Sequence, residues 1–165
     1  MKEGTPDFLE ILKILTRYKV DFIIVGGVCG VLHGAPVSTF DLDLVHSRSQ
    51  ENLPRLMAAL EVLKASYRGR EDQQLIPSMD HLSSPGHQLL ITNYGPLDLL
   101  GSIGKDRDYE DLLKDTVELE IEGFHLRMLD LDALIRIKKE TLTDKDKFML
   151  LILERTLKEK SEEEQ

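Results

Sequence analysis

Phe22-Ile23-Ile24-Val25-Gly26-Gly27, followed after an uncharged spacer by Phe40-Asp41-Leu42-Asp43-Leu44, is the stretch on which the reading of this chain turns. The first run is apolar and β-branched, as a buried strand requires, and its glycine pair frees the backbone for a tight turn. In the second run, a strand sets residues i and i+2 on one face, so Asp41 and Asp43 point the same way. Aspartate is a poor strand former, and two bare carboxylates side by side repel each other. A cation between them resolves the conflict, and a divalent metal is the simplest one. The glycine pair lets a phosphate approach the backbone closely. These features together point to metal-assisted chemistry on a nucleotide.

The bulk composition sets the frame. A length of 165 residues suits one domain over 1–165 with its own core, ending in a helical segment at about 130–160. Hydrophobic residues are 41% and charged residues 31%, which is ordinary for a soluble globular protein. A net charge of −9 argues against broad, charge-driven nucleic-acid binding, though not against a local basic pocket. The single cysteine, Cys29, excludes an internal disulfide and fits a reducing compartment. Residues 22–40 carry no Asp, Glu, Lys or Arg, close to the length of a membrane span. Their four glycines, Pro36, His33, Ser38 and Thr39 make them a strand with a glycine-rich turn instead. The reading is a cytoplasmic protein with no membrane partner.

Along the chain, Thr5-Pro6-Asp7 predicts a helix start with Pro6 at the first helical position, and Phe8, Ile11, Leu12 and Leu15 form its apolar stripe. A strand at 21–25 leads through the glycines into a short helix ending near His33-Gly34, and a second strand covers about 40–45. Leu53, Leu56, Met57, Leu60 and Leu63 mark another helix. Residues 68–86 are polar and irregular, and read as a mobile loop or a substrate-facing flap. Strands follow at 87–92 and 97–100 around an Asn93-Tyr94-Gly95-Pro96 turn. A helix near 107–115, a strand near 116–121 and helices at about 130–140 and 144–160 complete a mixed α/β order without Rossmann alternation.

Asp98 repeats the signature of the pair, a carboxylate between apolar neighbours on a strand. If the three strands lie together, three carboxylates converge, a donor set suited to one or two Mg²⁺ ions, with Mn²⁺ as the alternative. Two ions roughly 3.5–4 Å apart could clamp the attacking and leaving oxygens of an in-line displacement. The competing reading, a solvent-facing Asp on an alternating strand, suits one carboxylate better than three beside a glycine pair. Lys138 falls on the apolar stripe of its helix with Leu131, Leu134 and Ile135, and an inward lysine needs an anion, a nucleotide phosphate or one of the acids. The bland option is a stem that snorkels to solvent.

Val25-Gly26-Gly27, Asp41-Leu42-Asp43-Leu44 and Leu97-Asp98-Leu99 together resemble the motifs of the nucleotidyltransferase superfamily typified by DNA polymerase beta. His33-Gly34, Thr39, the block from Tyr94 to Leu100, and Leu134-Ile135-Arg136-Ile137-Lys138 resemble a subgroup of small bacterial relatives that includes abortive-infection and toxin–antitoxin enzymes. The resemblance implies a nucleotidyltransferase fold, with a mixed sheet of about four to six strands flanked by helices. It implies that Gly26 and Gly27 hold the NTP triphosphate, that Asp41 and Asp43 bind metal, and that Asp98 binds metal and activates the acceptor hydroxyl. The implied acceptor is RNA (tRNA in toxin-like relatives), a protein hydroxyl or a small molecule such as an aminoglycoside, and a partner protein is a further implication. One position departs from the pattern: Val37 stands where an arginine is expected, two residues before Thr39. That loss removes a phosphate contact or an ion-pair partner of the acids, and favours the alternative of a catalytically silent nucleotide-binding module.

The other candidates are weaker. Ser38 and Thr39 could hydrogen-bond a phosphate, although turn-forming hydroxyls are commoner. His33 reads as a helix end, Cys29 as core, Arg68 and Arg70 as a solvated face that an acceptor could meet, and Lys145-Asp146 as a capping or surface ion pair. His46, His81, His87 and His125 show no zinc spacing.

Overall fold

Four consecutive buried residues, Phe22–Val25, form β1, and their unbroken apolar run is what a strand covered on both faces requires. The computed structural model describes residues 5–70, 72–141 and 143–164, with the side chain of Lys145 also outside the described set. From β1 the chain enters α2, Gly26–Leu32, directly; His33 caps it and Gly34 follows at φ 95°. β2 is Leu42–His46, so Asp41 stands one residue before the strand and not within it. The buried Asn52 ties this hairpin-like unit together: its Oδ1 accepts from Asp21 N–H at 2.7 Å, and its Nδ2 donates to the carbonyls of Asp21 and Ser47.

The first helix, α1, is Phe8–Arg17, with Asp7 as the N-cap accepting from Glu10 N–H at 3.1 Å. Pro6 therefore precedes the cap, a shift from the expected start, and the Asp7 side chain takes up an amide of the first turn that the helix itself leaves unpaired. The remaining helices are α3 (Asn52–Leu63), α4 (Met79–Ser83), α5 (Tyr109–Leu112, followed by a 3₁₀ turn), α6 (Leu131–Thr141) and α7 (Asp144–Glu163). The remaining strands are β3 (Ser66–Tyr67), β4 (His87–Thr92), β5 (Gly95–Leu100), β6 (Thr116–Ile121) and β7 (Phe124–Leu129).

Among the described residues the strands form one mixed sheet of seven, ordered β3-β4-β5-β2-β1-β7-β6, more than the four to six expected. β2 runs parallel to β5 and β1 parallel to β7, while the other neighbours are antiparallel. The unforeseen strands are the two-residue β3 and β7, which joins β6 through Glu122-Gly123, both at positive φ as a tight hairpin demands. α1 packs on α3 and β7; α2 packs on β1, β2 and α6; and α6 packs on α7. Ile23, Ile24, Leu42, Leu44, Leu97 and Leu99 are wholly buried and anchor one apolar core.

The 68–86 segment, expected as a mobile loop or a substrate-facing flap, holds more regular structure than its composition suggests. It contains α4, whose Leu82 is wholly buried, and its ends are tied down. His46 Nε2 donates to the Leu82 carbonyl at 2.8 Å, and Arg48 to that of Ser83 at 3.1 Å. A Cβ on Gly101 would lie 2.3 Å from the Ser84 carbonyl, so the strand end and the segment touch backbone to backbone. Glu71 lies outside the described residues. No described helix is long and apolar enough to cross a membrane.

Candidate active site

Strand register assembles the three acids. Val25 lies opposite Asp43 in the antiparallel β1–β2 pair, and Asp43 lies opposite Asp98 in the parallel β2–β5 pair. Partners in register share a face. Asp41 joins them from the bend that opens β2, and one carboxylate oxygen of each residue lies within 4.8 Å of the other two. Among the described residues this is the one cluster of its kind. Asp98 is buried, while Asp41 and Asp43 are half-buried.

Burial, and then the charges of Asp41 and Asp98, push the Asp43 carboxyl up to about 8, with Lys138 pulling the other way. Asp43 is hydrogen-bonded to Asp98, whose own carboxyl is raised by burial and held back by Arg68. A proton shared between two carboxylates at neutral pH stands where a cation belongs. The donor set is all oxygen and three carboxylates strong, which fits a hard divalent ion such as Mg²⁺ or Mn²⁺ and not a thiolate or imidazole metal.

The glycine turn is pressed against this cluster. Gly26 sits at φ 68°, and a Cβ there would meet Asp43 Oδ2 at 2.2 Å; one on Gly27 would meet Thr39 Oγ1 at 2.7 Å. Thr39 in turn donates its hydroxyl to the Asp41 carbonyl at 3.0 Å, so its visible work is to brace the acid bend. Ser38 is exposed beside it. Val37 packs against the apolar core, in the place the expected arginine does not fill.

Lys138 ion-pairs with Asp146 on α7 at 2.9 Å, and its charge still reaches Asp43. Burial works to raise the Asp146 carboxyl, but hydrogen bonds from Lys138 and Thr143 outweigh it and hold it low. Asp146 also closes the Thr143 capping box of α7, so it is both a cap and an ion-pair partner. The inward lysine expected from the sequence is thus half-buried near the acids, with Asp146 as its direct anion. The side chain of Lys145 lies outside the described residues.

The sequence left Arg68 on a solvated face, yet its Nη2 donates to Asp98 Oδ1 at 2.9 Å. Nothing local announces that contact, because it crosses from β3 over β4 to β5. His33 spends both ring nitrogens on structure: Nε2 donates to the Leu129 carbonyl at 2.8 Å and Nδ1 accepts from Lys160 at 3.0 Å. Cys29 is wholly buried, and burial pushes its thiol up to about 12.

A mixed sheet presenting three carboxylates beside a glycine turn is the nucleotidyltransferase fold, and solved structures of that fold match this chain. The lincosamide antibiotic adenylyltransferase LnuA, bound to lincomycin, matches 89% of this chain and 94% of its own, with 17% identity and a TM-score of 0.61. A candidate nucleotidyltransferase from Thermotoga maritima matches 94% of this chain and 93% of its own, with 19% identity and a TM-score of 0.53. The antibiotic-resistance factor ANT(2'')-Ia matches 95% and 94%, with 16% identity and a TM-score of 0.51. No family model matches the chain, and no curated protein matches it in sequence.

Proposed function

We propose that this protein transfers a nucleoside monophosphate from an NTP to an acceptor hydroxyl. The carrying observation is the convergence of Asp41, Asp43 and Asp98 within 4.8 Å beside the Gly26-Gly27 turn. These acids would hold Mg²⁺ or Mn²⁺, which when bound neutralises phosphate charge and aligns the reacting oxygens. Asp98 takes the proton of the acceptor hydroxyl as its oxygen bonds to the α-phosphorus. The bond from that phosphorus to the bridging oxygen breaks, and pyrophosphate leaves. Gly26 and Gly27 let the triphosphate lie against the backbone, and Lys138 supplies a nearby positive charge. Most of the catalysis is positioning and charge neutralisation, as in phosphoryl transfer generally.

Two observations favour a small-molecule acceptor over RNA. The net charge is −9, and of the similar structures one is by name an antibiotic adenylyltransferase and another an antibiotic-resistance factor. None of the relatives named above carries a toxin–antitoxin name, and that association is not part of the proposal. The test is incubation with each α-labelled NTP, Mg²⁺ or Mn²⁺ and fractionated cell extract. Label is expected in the small-molecule fraction, and Asp41→Asn and Asp43→Asn should each abolish it. Unchanged turnover in both variants would falsify the reading. Val37 keeps a second reading in view, a binding module that holds NTP and metal without transfer. It predicts nucleotide binding with no labelled product in any fraction.

A further inference from the structure

Arg68 follows β3 directly, and three bonds fix it. Its backbone N–H donates to the Leu89 carbonyl at 3.0 Å, Nη1 to the Leu90 carbonyl at 3.2 Å, and Nη2 to Asp98 Oδ1 at 2.9 Å. Leu89 stands opposite Asp98 in the β4–β5 register, so the side chain spans one strand to reach the acid. Among the described residues it is the one arginine ion-paired to the carboxylate cluster. Its side chain is 31% exposed and lines, with Met57, Ser66, Ile76 and Ile91, an open cavity of about 1020 Å³.

We infer that Arg68 is a placeholder cation, which neutralises Asp98 while no ion is bound and yields Oδ1 when the metal arrives carrying its triphosphate. A guanidinium on Asp98 Oδ1 competes with a divalent ion for that oxygen, and their charges repel at that range. A bare ion that takes Oδ1 works against the Arg68 pair and brings no anion of its own for the guanidinium. A metal–triphosphate complex brings the anion that takes the released guanidinium, and the open cavity gives the side chain room to move. Arg68 is in this sense a positioning residue: it makes metal loading depend on the nucleotide. It also delivers from the sheet edge a positive charge of the kind that Val37 withholds. The inference rests on the metal-dependent reading of the site.

The experiment measures Mn²⁺ binding by electron paramagnetic resonance, alone and with an α,β-methylene NTP analogue. Arg68→Gln is expected to bind bare Mn²⁺ about tenfold tighter than the parent chain, and to lose most of the gain that the analogue gives the parent. Arg68→Lys, which keeps the charge, should stay within about twofold of the parent for bare Mn²⁺. Equal or weaker bare-ion binding by Arg68→Gln, with Asp43→Asn abolishing the signal, overturns the placeholder role and leaves the metal site standing. Undiminished Mn²⁺ binding by Asp43→Asn brings down the metal reading and this inference together.

Discussion

Gly26 and Gly34 both have positive φ, but only one of them touches the site. A Cβ at Gly34 meets nothing within 4 Å, whereas at Gly26 it would overlap the Asp43 carboxylate. Gly34→Ala should therefore cost only the backbone strain, about 1 kcal/mol in chemical denaturation, and leave Mn²⁺ binding intact. Gly26→Ala should cost more and lose Mn²⁺ binding as fully as Asp43→Asn, because the acid must move aside. Equal metal binding by the two glycine variants would contradict the packing described. Cys29 supplies a second residue-scale expectation. Wholly buried and with its thiol raised to about 12, it should resist iodoacetamide in the native protein and react at once in denaturant. The acids were readable in sequence because a carboxylate between apolar residues breaks the strand pattern at its own position. Arg68 was not readable, since its partner lies two strands away and its own neighbourhood, Ser66 to Arg70, is polar on every side.

Among the elements, β4 and β6 fall on their predicted bounds, because alternation runs cleanly between marked turns. β7 alternates too, with Phe124, Leu126 and Met128 on one side, and the Glu122-Gly123 turn before it was the missed signal. The order within the 68–86 segment was hidden for a different reason. Its polar composition hides a wholly buried leucine, Leu82, among exposed apolar neighbours such as Leu75, Ile76 and Met79. Leu82→Ala should destabilise the protein by about 2–4 kcal/mol in urea unfolding, the usual cost of emptying a buried leucine site. A cost below about 0.5 kcal/mol, as on a free surface loop, would contradict anchoring through Leu82.

At the level of the whole molecule, the acid cluster sets how stability follows pH. The folded pKa of Asp43, about 8, lies above the ordinary carboxylate value near 4. Its contribution is full below that lower value and fades as pH rises through about 8. Burial moves His33 and His46 the other way, so their contribution is present above the ordinary value of about 6.5 and is lost as pH falls. Without added metal, the melting temperature should peak at about pH 6 and drop towards pH 8.5. Mg²⁺ should restore more at pH 8.5 than at pH 6, and Asp43→Asn should flatten the alkaline drop. Thermal unfolding across pH with and without Mg²⁺ checks all three. The parallel pairing of β2 with β5 has a consequence for folding itself. A slip of one residue would set Leu97 or Leu99 opposite Asp43 and turn Asp98 to the far side of the sheet. On the proposed metal reading, Mn²⁺ affinity is thus a gauge of correct strand alignment: during refolding it should appear only when these two sequence-distant strands have locked, as the last signal to recover.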